Sequence, residues 1–377
     1  MLILKADRDD CLATVQAVLG AVERRHTLPI LANLLLRKTG DHIEWTSSDL
    51  EMQLRTQSQL GGDVGDFATT VGARKLADIL RALPAGQTVS ITTAQNKLTV
   101  QGGRSRFTLQ TLPAADFPQV QEASDYGPAF SLDAGVLRTL IEQVEFAMAA
   151  NDIRYYLNGV LMQVEGGLLT LVASDGNRLA SAEAAVDLDL PRQAVILPRK
   201  TVQELLRLLR EQGGGAQAEG KPKPIEVRLA AAQVHFKLGA ISFVSRLVEG
   251  KFPNHQSVVP QGHPITLNLS RAALLASLQR VAILTNERFR GIRLTLTSGL
   301  LRVSSSNAEH EEAVEDLEVD YSGARVEVGF NVSYLTDVLA DTHFDTLQMA
   351  LRDGQSSVLI TCAQRPGFKY VVSPMRI

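Results

Sequence analysis

The chain is poor in residues that build covalent frameworks or metal centres. Its 377 residues include only two cysteines, Cys11 and Cys362. That is too few for a disulfide framework and fits a reducing compartment. The seven histidines (His26, His42, His235, His255, His263, His310 and His343) never fall within five residues of one another. No local metal-ligand spacing arises, and neither a metal nor a cofactor is expected. There is no apolar run of about 18 residues to span a membrane. The start, Met1-Leu2-Ile3-Leu4-Lys5, turns acidic at Asp7, Asp9 and Asp10, so no signal-peptide core forms. A cytoplasmic location is the expectation. Catalytic signatures are missing as well. His310-Glu311-Glu312 lacks the second histidine of a zinc-protease helix, and Gly102-Gly103-Arg104 lacks the lysine and hydroxyl of a P-loop. The formal charge of −3 argues against a surface that grips nucleic acid everywhere, yet leaves local basic faces open.

What the chain does contain is repetition. Its length exceeds one ordinary hydrophobic core, and one pattern occurs three times. Asp7, Asp133 and Ser270 each stand four residues before an apolar position and can cap a helix by accepting from its first free N–H groups. Helical stripes follow, Leu12/Val15/Leu19/Val22, Leu137/Leu140/Val144/Met148 and Leu274/Leu278/Val281. Next come strand-and-turn segments ending Ser47-Ser48-Asp49, Ala173-Ser174-Asp175 and Ser305-Ser306-Asn307. The closing residues are spaced 126 and 132 apart. A second helix opens at Arg74-Lys75, Arg199-Lys200 and Val332-Ser333, spaced 125 and 133 apart. Phe117-Pro118 and Phe252-Pro253 add a third landmark, 135 apart. Because Ser174-Asp175-Gly176 recurs in form as Ser47-Ser48-Asp49, it belongs to the repeat and is not a nucleophile motif. Period-two segments with glycine turns complete each copy. The expected fold is α+β: three tandem units, each with two helices packed on antiparallel sheets, at residues 1–124, 125–262 and 263–377. The segment 212–224, rich in Gly, Lys and Pro, reads as a solvated insertion.

Charge is distributed unevenly over the copies. From Ile79 to Ala115 there is no acidic residue, and Arg104-Ser105-Arg106-Phe107-Thr108-Leu109 reads as a strand with basic and apolar faces. From Glu309 to Asp320 there are seven acidic residues and no Lys or Arg. The two segments could pair between chains and close an open sheet edge, or each could be a solvated, charge-protected edge.

From end to end the sequence resembles the bacterial DNA polymerase III β subunit family, the sliding clamps. The resemblance is carried by Thr27-Leu28-Pro29-Ile30-Leu31 with Asn33-Leu34-Leu35-Leu36, and by Ser48-Asp49-Leu50-Glu51-Met52. Gly103-Arg104-Ser105-Arg106-Phe107 and Leu112-Pro113-Ala114-Ala115-Asp116-Phe117-Pro118 continue it. Further along stand Arg154-Tyr155-Tyr156-Leu157-Asn158-Gly159, Ser174-Asp175-Gly176-Asn177-Arg178-Leu179 and Asn286-Glu287-Arg288-Phe289-Arg290-Gly291. Gly329-Phe330-Asn331-Val332-Ser333-Tyr334 and Tyr370-Val371-Val372-Ser373-Pro374-Met375-Arg376-Ile377 complete the series.

The resemblance implies a non-catalytic processivity factor, a homodimeric ring of pseudo-sixfold arrangement around double-stranded DNA. Copy one would meet copy three of the partner, with Arg104, Arg106, Phe107 and Leu109 facing Ile283, Leu284, Glu309, Glu311, Glu312 and Glu315. It implies sequence-independent DNA contact, supported most directly for Arg25, Asn151, Tyr155 and Tyr156. The cations Arg74, Arg154, Arg199 and Lys200 are added as phosphate contacts, which carry no sequence information. A hydrophobic cleft between copies two and three would take short peptide motifs of polymerase subunits, the clamp loader and repair proteins. Its positions would be Leu157, Ser174, Gly176, Asn177, Arg178, Leu179, Pro253, Ser257, Val258, Phe289, Asn331, Tyr334, Gln355, Ser357, Val371, Pro374, Met375 and Arg376. The sequence departs from the usual family pattern at Asn177, Ser257 and Ser373, which bears on the fine peptide preference. The other reading of the repeats is a monomeric scaffold that gathers peptides without encircling DNA.

Overall fold

The computed structural model describes residues 1–22, 28–188, 191–213, 224–285, 290–342 and 344–376. Arg25, Phe289 and most of the expected 212–224 insertion lie outside them.

The same ten-element string occurs three times. Copy one comprises β1 (Leu2–Asp7), α1 (Arg8–Ala17), β2 (Asn33–Thr39), β3 (His42–Ser48), β4 (Met52–Ser58), β5 (Phe67–Gly72), α2 (Ala73–Ala82), β6 (Thr88–Ala94), β7 (Lys97–Gly102) and β8 (Ser105–Leu112). Copy two comprises β9 (Phe130–Asp133), α3 (Ala134–Val144), β10 (Gly159–Glu165), β11 (Leu168–Ser174), β12 (Arg178–Ala185), β13 (Gln193–Pro198), α4 (Arg199–Gly213), β14 (Pro224–Leu229), β15 (Gln233–Leu238) and β16 (Ile241–Arg246). Copy three comprises β17 (Ile265–Ser270), α5 (Arg271–Val281), β18 (Gly291–Thr297), β19 (Leu300–Ser306), β20 (Glu312–Glu318), β21 (Val326–Asn331), α6 (Val332–Asp341), β22 (Thr346–Leu351), β23 (Val358–Cys362) and β24 (Arg365–Val372).

Local chemistry repeats with the elements. Asp7 caps α1 by accepting from Asp9 N, and Ser270 caps α5 by accepting from Ala273 N. The turn after the fourth element of each copy is closed by a side-chain oxygen. Asp49 accepts from Glu51 N and Met52 N, Asp175 from Asn177 N and Arg178 N, and Asn307 from Glu309 N and Glu311 N. In copies one and two the first helix is shorter than its stripe. Leu19 and Ala147 fall in 3-10 turns, and Val22 and Met148 lie just beyond them. The helices end where the chain drops back to the sheet. There the hydroxyls of Ser47 and Ser305 donate to the carbonyls of Val18 and Val281, which the helix leaves free. Copy two has Ala173 at this position.

The chain separates into two compact units, residues 1–135 with 207–247, and residues 136–206 with 248–377. The sheets explain why three copies give two units. A twelve-stranded sheet, ordered β1-β6-β7-β8-β5-β2-β3-β4-β16-β15-β14-β9, lies within the first. An eight-stranded sheet, β13-β10-β11-β12-β24-β23-β22-β17, and a four-stranded sheet, β20-β19-β18-β21, lie within the second. Antiparallel ladders therefore run across the copy boundaries. β4 pairs with β16 (Leu54 with Phe243), and β12 with β24 (Leu179 with Val371).

Each joint uses the fifth element of one copy and the last of the next. The same two element types are left over as β20 and β8. β20 ends its sheet. β8 pairs with β5 only through Leu112 and Thr111, so among the described residues the rest of that edge carries no strand. The helices bury one stripe each, for example Leu137, Leu140, Ile141 and Val144 of α3. Each such side chain is worth about 1.5–3 kcal/mol of burial.

Candidate functional site

In the second unit, residues far apart in sequence form one apolar cluster. Leu157 follows a short turn, Leu179 lies on β12 and Val371 on β24. They pack with Ala149, Leu161, Val172, Ile196 and Phe252, while Tyr156, Val248, Val259 and Leu359 cover the edge. Three of the residues expected to line a cleft, Leu157, Leu179 and Val371, are thus brought together in one buried cluster. Around them Gly176, Asn177, Pro253, Ser257, Val258, Gln355 and Arg376 are exposed, Val258 to 48%. Ser174 is buried, its hydroxyl donating to Arg178 O and accepting from Gly176 N. Asn331 caps α6, and Ser357 O lies against His263 Nε2. The chain end is anchored on two sides: Ser373 N donates to Asn177 O and Met375 N to Gly329 O. This holds Pro374 and Met375, both half-buried, across the joint between the eight- and four-stranded sheets.

Behind the cluster sits a charged group. Arg178 opens β12, so its side chain points opposite to that of Leu179. Its guanidinium, 10% exposed, meets Asp175 at 3.0 Å and Asp337 at 2.7 Å, and donates to Phe146 O at 2.7 Å. The Tyr334 ring lies 4.7 Å from it. Tyr370 donates its hydroxyl to Tyr334 O, and Asn177 Nδ2 reaches the Tyr334 hydroxyl at 3.5 Å. Burial pushes the Tyr370 hydroxyl far up, so it remains a neutral donor.

The segment 151–158 is a second construction. Asn151 takes φ +60°. Asn158 accepts from Asp152 N and donates to Asp152 O, closing the loop. Arg154 grips the Asp152 carboxylate with two nitrogens and reaches Asp175 O at 3.1 Å. The Arg154 contacts, chiefly its side-chain hydrogen bond, hold Asp152 down at about 2. Tyr155 is 55% exposed and meets Tyr156 edge-on at 5.9 Å, with Tyr156 seated on the apolar cluster. Gly176, at φ +90°, lies under the Arg154 guanidinium, and a Cβ there would stand 2.7 Å from it.

The remaining expected cations divide. Arg74 donates to Val22 O, and Arg199 to Met148 O and Ala149 O, the equivalent carbonyls of copies one and two. Each thus fastens the end of its copy's first helix while standing at a second helix start. Lys200 is exposed.

At the two open edges the alternation is regular. On β8, Phe107 and Leu109 are half-buried while Arg106 is exposed. Arg104 is not on the strand as expected. It occupies the hairpin turn beside Gly103, whose φ of +56° sets that turn. On the β20 side Glu309, Glu311 and Glu312 are exposed, Leu284 is half-buried, and Ile283 is 78% exposed. Glu315 is held by Arg280 at 2.6 Å and Asp316 by Arg302 at 2.8 Å. Part of the acidic run is thereby neutralised within its own chain. Asp152, Asn158, Asp175, Phe146 and Asp337, which build these sites, were not singled out from sequence for that work. Only Asp175 carried a visible signal, its recurrence with Asp49 and Asn307.

Repeated α+β units joined strand to strand across the copy boundaries, with β8 and β20 among the strands at open edges, define a repeat protein of the clamp class. Models of the DNA polymerase III beta subunit match the chain with their N-terminal domain over residues 2–121, central domain over 131–254 and C-terminal domain over 256–376. The beta sliding clamp of Pseudomonas aeruginosa is 44% identical, with 98% of each chain covered. That of Escherichia coli K12 is 40% identical, with 98% of this chain and 99% of that protein covered. A crystal structure of the DNA polymerase III subunit beta from Pseudomonas aeruginosa superposes with a TM-score of 0.92 at 42% identity, covering 100% of both chains. Another from that species is bound to griselimycin, with a TM-score of 0.91 at 41% identity and 99% of both chains covered. The chain belongs to the DNA polymerase III beta subunit family. Its role is that of a sliding clamp, a processivity subunit without catalytic chemistry of its own.

Proposed function

We propose that two copies of this chain close head to tail around double-stranded DNA, β8 of each pairing with β20 of the other. The observation that carries this is the repeated joint. β4–β16 and β12–β24 are two ladders of one kind, and β20 and β8 are the same two element types left unpaired. Matching β8 to β16 and β20 to β4 sets Phe107 opposite Ala313, as Phe243 stands opposite Leu54. A closed two-chain assembly removes both edges. Exposed opposite charges there steer encounter and register more than they add affinity. Copy boundaries at 124/125 and 262/263 fit this assembly, and the protein works in the cytoplasm at replicating DNA.

DNA contact is loose in this reading. Arg25, Asn151, Tyr155, Tyr156 and Lys200 touch the backbone, while Arg74, Arg154 and Arg199 contribute whichever donors their own carbonyl and carboxylate partners leave over. Retention is topological. The apolar floor at Leu157, Leu179 and Val371, with the anchored end Pro374–Arg376 and Tyr334, receives the short peptide motifs of polymerase subunits, clamp loader and repair proteins. Two or three apolar anchors less their ordering cost give exchangeable binding, about micromolar.

The decisive experiment loads the protein on nicked circular DNA and then linearises the circle. Retention on the circle and loss from the linear form is the expected outcome. Equal retention on both forms would sink the topological mechanism. Deleting Met375–Ile377 is expected to abolish peptide binding and leave the two-chain mass unchanged.

A further inference from the structure

Three groups around Arg178 share a purpose that none of them shows alone. Arg178 is almost out of contact with solvent, so it is poorly placed to bind a peptide directly, yet it sits one residue from Leu179 of the floor. Its guanidinium is held on one side by Asp175, in the turn that presents Gly176 and Asn177. On the other side it is held by Asp337, on α6. Asp337 follows Tyr334 by three residues, so both lie on one helix face, and the guanidinium bridges them by an ion pair to one and a stack on the other.

The two carboxylates are not equivalent. Asp175 is already satisfied by Asn177 N and Arg178 N, and its side chain is 16% exposed. Asp337 is 39% exposed and lines a groove between α5 and α6 with Ser333, Thr336 and Arg290. Removing charge at Asp175 would undo a turn. Removing it at Asp337 would leave the turn intact and release only one side of the guanidinium. Arg178 would then swing toward Asp175, and Tyr334 would lose the cation that fixes its ring.

We propose that Asp337 is a positioning residue for the peptide cleft: through Arg178 it fixes the Tyr334 ring and the Asn177–Arg178 turn against the apolar floor. The inference rests on the cleft reading above. Asp337 touches no peptide; it sets the shape that a peptide meets, and so acts mainly on how fast a bound peptide leaves.

The test uses the full-length dimer and a fluorescein-labelled segment of a DNA polymerase partner bearing leucine and phenylalanine anchors. Asp337→Asn is expected to weaken binding about tenfold, one contact's worth of misplacement, almost wholly through faster dissociation. Asp337→Glu, which keeps the charge, should restore most of the affinity. Two-chain mass should not change and melting temperature should shift little, because Arg178 keeps its bonds to Asp175 and to Phe146 O when Asp337 loses its charge. In an Arg178→Lys background, which loses the planar fork, the Asp337→Asn effect should shrink by more than half.

Binding by Asp337→Asn within about twofold of wild type overturns the proposal. So does an equal loss in Asp337→Glu, or a loss that is undiminished beside Arg178→Lys. A wild-type dimer that does not bind the probe overturns the cleft reading itself, and this inference with it.

Discussion

At the scale of single residues, burial decides which groups can act. Cys11 sits in α1 beneath the sheet, where burial first, then the charges of Asp10 and Asp7, push its thiol up from 9.0 to about 12. The unfolded chain ionises this thiol near its ordinary value, whereas the native chain resists. The contribution is therefore present below pH 9 and is lost as pH rises toward 12. Cys11→Ala should flatten part of the alkaline fall in stability, read from urea midpoints between pH 8 and 10. An undiminished slope would show that other groups carry it. Gly176 is constrained twice over, by φ +90° and by the guanidinium above it. Gly176→Ala is expected to cost about 1 kcal/mol or more and to disturb peptide binding and the 151–158 loop together. The Asx turns at Asp49, Asp175 and Asn307 show how one side-chain oxygen, repeated, fixes three equivalent turns.

At the scale of elements, the loop 151–158 and the strand edges behave as prebuilt parts. The Asp152–Arg154 pair is partly exposed, and the hydrogen bonds of Arg154 lower the carboxyl from 3.8 to about 2. Its contribution is complete above pH 3.8 and disappears as pH falls through 2. At neutral pH the loop should therefore loosen only by mutation. Asp152→Ala is expected to raise amide exchange across residues 151–158 and shorten clamp residence on DNA, with the dimer intact. Unchanged exchange would show that the Asn158 bridge suffices. At the edges, Phe107→Ala should weaken dimerisation by about 2 kcal/mol, measured by sedimentation equilibrium. Val314→Pro removes a donor from the open edge of β20, because the Asn307 N to Glu311 O bond turns the N–H groups of Ala313 and Glu315 toward β19, and it should leave a folded monomer. A two-chain mass for Val314→Pro would refute β20 as the closing strand.

At the scale of the whole chain, three copies become two compact units because pairing across copies is as continuous as pairing within them. Copy divergence then assigns work. Copy three has Val332-Ser333 where copies one and two have Arg74-Lys75 and Arg199-Lys200, so the helix-start arginines that fasten the first-helix carbonyls stop after copy two. The last strand of copy three joins copy two and continues into Pro374-Met375-Arg376, which gives the eight-stranded sheet an apolar floor and an anchored rim.

The sequence alone determined the repeat, because apolar periodicity, caps and Asx residues are local signals that survive at spacings near 130 residues. It also carried the family through motifs of five to eight residues, and the charge contrast between β8 and β20. Several matters were decided only in three dimensions. Arg104 moved into a turn because Gly103 supplies the positive φ next to it. The first helices of copies one and two stopped short of their stripes and ran on as 3-10 turns. Glu315 was drawn to Arg280, 35 residues away. Asp337, 159 residues from Arg178, had no sequence signal at all. An ion pair of that separation depends on which faces two packed elements present to each other, and neither composition nor periodicity encodes that.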